Sequence, residues 1–328
     1  MKSLRSALIV LSLLAIVLDG TAQVRKAGLN AAAFLKVGVG ARNIGLGSAS
    51  NSITEDVGQM FWNPAGIILK DEMAQATFSY ANWLAGIKHV VGGVSYRLED
   101  VGTIGVGLIT FGDNDIPAMR DPFNDPASGS VFDYMDMALQ VTFARMVTDR
   151  LSLGITAKYI NEKIDDQSAS AVAFDVGSLY DIGVLGWRVG ARLSNIGSDI
   201  KYYDYSSPIP ITFSMGTSIM PLSTDDQRWL VSADVVKQQD YLPYFNVGME
   251  YTVLDMLSFR AGYKLNYSDV EDAGRTSRNP IQTSIEGWSL GGGVHTTVSD
   301  FSIFVDYSFT DMKILRDVHR FTLRLGWK

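Results

Sequence analysis

The sequence predicts an all-β protein, a 14-stranded antiparallel transmembrane β-barrel with an N-terminal hatch that is mainly helical or irregular. Three observations carry this expectation. Apolar and small or charged residues alternate with a period of two along segments of about ten residues, the length of a tilted barrel strand. Short and long connections alternate between those segments. After residue 22 no stretch of eighteen apolar residues occurs, so any membrane crossing must use strands.

The chain opens as a secretory signal does. Lys2 and Arg5 precede an apolar run from Ala7 to Leu18, and Gly20-Thr21-Ala22 supplies small residues at a cleavage site. Residues 1–22 are therefore expected to be a signal peptide, residues 23–72 a hatch or plug, and residues 73–328 the barrel. Loss of Lys2, Arg5 and Asp19 leaves 26 basic and 34 acidic groups and a mature charge near -8. No cysteine follows the cleavage site, which excludes a lipoprotein anchor.

Strands are expected at about 73–81, 87–98, 101–111, 133–147, 151–163, 169–181, 185–194, 209–220, 228–237, 243–253, 257–267, 285–297, 301–309 and 318–327. The last is the clearest: Phe321, Leu323, Leu325 and Trp327 share one face, while Thr322, Arg324, Gly326 and Lys328 share the other. An even count returns both chain ends to one side of the membrane, expected to be the periplasm. Tight turns at 98–100, 148–150, 182–183, 254–256 and 298–300 alternate with long polar connections at 112–132, 195–208 and 268–284, matching short periplasmic turns and longer external loops.

A soluble sandwich explains alternation equally well. It does not explain why the polar face carries so many unlike charges: Arg188, Arg192, Asp234, Glu250, Arg260, Lys264, Asp306 and Arg324 all fall on the predicted inward side. In a narrow lumen these groups pair or meet water, whereas on the lipid side they would cost several kcal/mol each. Phe304, Leu179 and Val236 also point inward. Tyr80, Trp83, Trp187, Trp229, Tyr244, Trp288 and Trp327 sit near strand ends and are expected to form interfacial girdles.

Residues 23–72 do not alternate. Asn30 to Lys36 reads as a short helix, and Ser52-Ile53-Thr54-Glu55 as a capping box that opens a second one through about Phe61. Glycines 38, 40, 45 and 47 around Arg42 imply close backbone packing inside something. Asn63-Pro64-Ala65-Gly66 should stop the second helix and turn the chain, with Gly66 supplying backbone freedom. Phe34, Leu35, Val37, Val39, Ile44 and Leu46 need burial, which a fourteen-strand lumen offers, and Trp62 is the expected internal anchor.

Composition narrows the chemistry. Without cysteine there is no thiolate catalysis, disulfide or cysteine-held metal. A net charge of -7 argues against nucleic acid. His89, His295 and His319 fall on different strands without a metal-binding spacing. Gly38-Val39-Gly40 lacks the strand, turn and helix of a nucleotide fingerprint. Gly112-Asp113-Asn114-Asp115 with Asp121 and Asp125 could gather calcium, but it contains Arg120 and lacks the closing Glu of an EF-hand. No enzyme activity, cofactor or metal is expected.

The run Gly40-Ala41-Arg42-Asn43-Ile44-Gly45-Leu46-Gly47-Ser48-Ala49, then Asp56, then Asn63-Pro64-Ala65-Gly66, resembles the amino-terminal signature of the PorV/PorQ family. That family is similar to the broader long-chain fatty-acid transporter (FadL-like) superfamily of outer-membrane barrels. One departure from the usual ending is Lys328, which stands where an aromatic is common. The resemblance implies a non-enzymatic outer-membrane barrel embedded in lipid. It implies secretion or cell-surface protein partners, as an accessory, cargo-shuttle or attachment component of type IX secretion. The alternative it implies is FadL-like transport of a hydrophobic ligand past the hatch. Arg42, Asn63, Pro64 and Gly66 are the residues to which a role in hatch geometry carries over.

Overall fold

In the computed structural model, residues 30–117, 131–241, 243–265, 286–313 and 315–328 are described. The expected signal peptide, residues 118–130 of the loop at 112–132 and the whole of the loop at 268–284 lie outside them, and with them Arg120, Asp121 and Asp125.

The described residues form one closed barrel. Its strands are Ala74–Asn82 (β1), Lys88–Leu98 (β2), Gly102–Pro117 (β3), Val131–Thr148 (β4), Leu151–Ile164 (β5), Gln167–Asp181 (β6) and Arg188–Gly197 (β7). After the small hairpin Ile200–Tyr202 (β8) and Tyr205–Ser207 (β9), the wall continues with Thr212–Ser223 (β10), Gln227–Gln238 (β11), Tyr244–Val253 (β12), Leu257–Leu265 (β13), Trp288–Val298 (β14), Phe301–Thr310 (β15) and Val318–Trp327 (β16). Fourteen strands pair antiparallel in chain order, and β1 closes on β16 from Ala74↔Trp327 to Asn82↔His319. Closure leaves no unpaired sheet edge, a requirement for backbone in hydrocarbon.

All the expected strands occur. β3 and β4 run further than expected, to Pro117 and from Val131, with a register shift between Asp113 and Ile116. The expected loop at 195–208 contains the end of β7 and the β8–β9 hairpin. Phe78, Val94, Phe259, Val305 and Phe321 on the outer face are each more than half exposed. An apolar belt around the whole circumference is a lipid surface, since soluble monomers do not expose patches of that extent. Trp187 and Trp229 lie on the belt near the tight-turn end, and Tyr80 and Trp288 near the other. Tyr244 departs from the expected girdle: it has the parity of inward Asn246 and is buried. Trp83 departs as well, packing edge-on against Phe111 at the mouth, with ring centroids 6.5 Å apart.

Inside the barrel sits the segment from residue 30 to residue 72, built from loops and single turns. The expected helix over Asn30 to Lys36 is only a 3-10 turn, Ala33–Lys36, because Ala32 before it takes a left-handed φ of 50°. The capping box at Ser52 to Glu55 does not form. Glu55 is itself left-handed, at φ 62°, and Asp56 caps the 3-10 turn Val57–Phe61 by accepting from the Gly58 N–H. The α-helix here, Ala41–Gly45, falls within the glycine-rich run. Asn63 does more than end a turn: its side chain accepts from the Ala65 N–H and opens a further 3-10 turn, Pro64–Ile67, with proline at its first position.

Inward glycines let this backbone touch the wall. A Cβ on Gly262 would lie 2.0 Å from the Gly47 nitrogen, one on Gly190 2.0 Å from the Asn51 carbonyl oxygen, and one on Gly154 2.4 Å from the Ala65 nitrogen. The wall gives up side chains where the inserted chain needs the space. We expect Gly262→Val and Gly190→Val to leave the barrel folded, with heat-modifiable migration retained, while making the bonds after Arg42 and Lys70 cleavable by trypsin in detergent. Unchanged protection in both variants would show that the wall, not the insert, yields.

Candidate functional site

The lumen is occupied, and its two sides hold the inserted segment by different chemistry. On the β12 to β16 side, six ionic groups form one network. The Arg42 Nε and Nη2 donate to the two oxygens of Glu250 at 3.0 and 2.8 Å. Arg260 bridges Glu250 and Asp306, at 2.5 Å to each. Asp56 faces Arg42 at 3.4 Å and Arg324 at 3.8 Å. Three guanidiniums and three carboxylates balance, so the burial cost of each charge is offset by its neighbours. Arg324 also lies over the Phe304 ring, 3.6 Å from its centroid.

Next around the wall, Asp234 Oδ2 accepts from the Ser50 and Asn51 backbone N–H groups and from the Asn51 side-chain amide, at 2.8, 3.0 and 2.9 Å. Arg192 donates to the Trp62 carbonyl and to Ser214 Oγ. The Trp62 indole N–H donates to the Val39 carbonyl at 2.9 Å, which ties two stretches of the insert together. Asn63 Nδ2 reaches the carbonyls of Asn51 and Ser178, at 2.7 and 3.0 Å.

The β2 to β6 side holds the insert mainly by apolar packing, beside the buried Lys158 and Asp175 pair. Phe34, Ala32 and Val39 of the insert pack with Val91, Ile109, Phe111, Ala138, Ile160, Ala171 and Ala173 of the wall. What remains open is small on one face and wide on the other. A cavity of about 60 Å³ lies between Val37, Trp62, Lys158, Val236 and Tyr244. A vestibule of about 570 Å³ opens at the tight-turn end, lined by Arg42, Glu55, Arg188, Glu250, Arg324 and others. The first has room for a few waters; the second is bordered by charge of both signs.

Burial would raise the Asp56 carboxyl, but the Arg324 and Arg42 guanidiniums and the Gly58 N–H outweigh it and hold the group below the usual carboxylate range. For Arg42, burial opposes the charge, but Glu250 and then Asp56 more than offset it and keep the guanidinium protonated.

The family model for the type IX secretion system protein PorV matches residues 21–243. The chain belongs to the PorV family. Comparison with curated proteins gives no match. Among solved structures, the chain is similar to the Ralstonia pickettii toluene transporter TbuX, with TM-score 0.60 and 11% identity over 89% of this chain and 98% of that one. It is also similar to the Pseudomonas putida toluene transporter TodX, with TM-score 0.56 and 14% identity over 88% and 97%. A Pseudomonas aeruginosa FadL homologue gives TM-score 0.56 and 13% identity over 88% and 98%. At these identities the likeness is one of fold: this PorV-family chain is an outer-membrane barrel that resembles FadL-type transport channels.

The structure brings Arg42, Glu250, Arg260, Asp306 and Arg324 into one network and sets Asp234 and Arg192 against residues 50–62. Arg188 stands apart at the tight-turn mouth, 3.5 Å from Asp181, and Lys264 pairs with Glu286. Pro64 and Gly66 are fully enclosed. Gly66 is required for space, not for backbone freedom: its φ is not positive, and a Cβ there would lie 2.6 Å from the Ile53 carbonyl oxygen. Asp113, from the acidic run weighed for calcium, is paired with Lys88 at 3.1 Å. Among the described residues no group of three or more ligating side chains gathers. Sequence reading missed the Lys158 and Asp175 pair, 2.7 Å apart, and the buried Arg320, although Arg320 shares the parity of Arg324 and is inward by the same rule.

Glu250→Gln should leave Arg42 and Arg260 without their shared counter-charge and destabilise the folded barrel by about 3–5 kcal/mol, read as a lower urea midpoint for loss of heat-modifiable migration. Gly66→Val should keep the barrel but raise single-channel conductance in planar bilayers, since the insert cannot close over Ile53. Asp56 has a depressed folded pKa. Its contribution is therefore complete above its unfolded value, about 4, and is lost as the pH falls through the lower folded value. Trypsin sensitivity at Arg42 should rise on that acid limb, and Asp56→Asn should remove this component.

Proposed function

We propose that this barrel serves type IX secretion as an accessory component that holds cargo or surface-attachment proteins at the outer membrane, with its lumen closed. The observation that carries this reading is the filled lumen: the inserted segment is pinned by a charge-balanced network on one side and packed as a core on the other. Membership in a family described as a type IX secretion component supports it. A partner would then meet the end of the barrel bearing the loops at 112–132, 198–211 and 268–284, which offers polar backbone and charge for specificity. In the orientation we propose, that end is external and both termini are periplasmic.

Passage of a hydrophobic small molecule is the second reading, and the solved structures speak more directly for it than for secretion, since two of the similar folds are toluene transporters. The apolar β2 to β6 wall favours it too, because displacement of Phe34 and its neighbours would uncover a track of apolar inner surface. That displacement would have to be driven by ligand binding.

Gentle extraction from native membranes, followed by mass spectrometry of bound proteins and lipids, separates the two readings. We expect a protein partner that is lost when either the 112–132 or the 268–284 loop is shortened. A partner-free monomer carrying a stoichiometric hydrophobic solute would replace the secretion reading with the transport one. For orientation, single cysteines at Ser198 and Ser299 should react with an impermeant maleimide on intact cells at the first position only.

A further inference from the structure

We infer that the external half of the lumen contains a carboxylate-binding site centred on Arg320, with Ser308 and His89 beside it. These residues share one row of the inner wall. Register runs from His89 on β2 to Ala81 on β1, Arg320 on β16 and Ser308 on β15. Each step is one strand spacing of about 4.8 Å, and Ala81, between the imidazole and the guanidinium, contributes only a methyl group. All three polar residues are deeply buried: Arg320 is 2%, His89 1% and Ser308 0% exposed.

They are also unsatisfied. Among the described residues, Arg320 Nε and Nη2, His89 Nε2 and Ser308 Oγ have no hydrogen-bond partner. The arginine is the informative one, because other inward arginines of this barrel are committed. Arg260 and Arg324 are in the central network, Arg192 bonds Ser214 and the Trp62 carbonyl, and Arg188 faces Asp181. Glu286 is close enough to act as a counter-charge to Arg320, but the two donors remain without a hydrogen bond among the described residues, and the cost of burying them falls when an anion's oxygens reach them. The idle pair is moreover the side-on edge, Nε with Nη2. Arg42 uses that same edge to grip both oxygens of Glu250, at 3.0 and 2.8 Å. Parallel donors of that geometry select a planar carboxylate over a spherical ion.

Surroundings limit the rest of the ligand. Phe111 meets His89 edge-on, with ring centroids 5.8 Å apart, and Trp83 and Tyr134 pack on Phe111 in turn. Met312, Val318, Trp83 and Leu84 form an apolar cluster with Ala81 at the external mouth. On the other side, the inserted segment is tied just below by the Ala41 N–H donating to Thr322. The site therefore suits a monocarboxylate with a compact apolar body. The group could arrive on a free small molecule or at the carboxyl terminus of a polypeptide. This inference rests on neither reading of the overall function.

The test uses the purified full-length mature barrel in detergent. Benzoate and its neutral isostere benzamide are compared for protection against thermal loss of heat-modifiable migration and for binding by calorimetry. An N-acetylated tripeptide ending in a free phenylalanine carboxylate is compared with its amide in the same way. We expect one or both carboxylates to bind and stabilise, and neither amide to do so; which of the two binds identifies the source. Arg320→Lys, which keeps the charge but loses the paired donors, should weaken binding by about tenfold, and Arg320→Met should abolish it. Arg320→Met removes a buried charge whose Nε and Nη2 donors are not hydrogen-bonded and is expected to fold; Ser308→Ala provides a milder second variant with reduced affinity. Absence of carboxylate binding in the unaltered protein would overturn the proposal, and so would binding that survives Arg320→Met in a folded barrel.

Discussion

The structure depends on placing a polar, irregular backbone inside a closed sheet without leaving its N–H and C=O groups unpaired. Residues 30–72 contain little regular structure, so most of their hydrogen bonds must come from elsewhere. The wall supplies them as aimed carboxylate, amide and hydroxyl oxygens: Asp234 for the backbone of Ser50 and Asn51, Gln75 for Val57, Glu162 for Ala32 and Thr322 for Ala41. Each of these side chains projects from a strand whose opposite face meets lipid. The period of two thus serves both solvents at once, hydrocarbon outside and a hydrogen-bonding insert inside.

Glycine is the second half of the same solution. A donor can satisfy a backbone group only if the two approach to about 3 Å, and inward side chains would hold the insert away. Positions such as Gly154, Gly177, Gly190, Gly248 and Gly262 keep the wall bare where Ala65, Asn63, Asn51 and Leu46 must come close. The high glycine content, unusual for strands, follows from this contact. Charge then fixes the position of the insert: a network of three arginines and three carboxylates is satisfied in only one arrangement, so sliding the insert along the lumen would strand buried ions.

Division of the lumen into an ionic side and an apolar side bears on both proposed functions. The ionic side resists opening, because separating Arg42 from Glu250 exposes two desolvated charges. On the apolar side, movement of Phe34 and Val39 loses mainly hydrophobic contact, which a hydrophobic solute could replace, together with the hydrogen bonds of Ala32 to Glu162 and of Trp62 to Val39. A closed accessory barrel and a gated one therefore differ in whether the first turn of the insert ever leaves the β2 to β6 wall, while the rest remains fixed.

Strand number, strand limits to within a few residues at most ends, and the inward or outward sense of most wall side chains followed from the sequence alone. Alternation is a local property, and a sheet that separates lipid from an interior enforces it on every strand. Arg260, Asp306 and Arg324 were legible as lumen groups for that reason. The partners they chose were not: Asp56 and Arg42 reach them from a segment with no period, and which groups meet depends on how the barrel closes. The same limit explains the capping error, since Glu55 is left-handed and its backbone N–H donates to the Gly66 carbonyl, a partner outside the local pattern. It explains as well why Tyr244 lies inside, where parity outweighs the preference of aromatics for interfaces. Sequence determined the wall because each strand's solvent exposure repeats every two residues; only the tertiary structure decided the insert, because many of its bonds run to wall residues more than a hundred positions away.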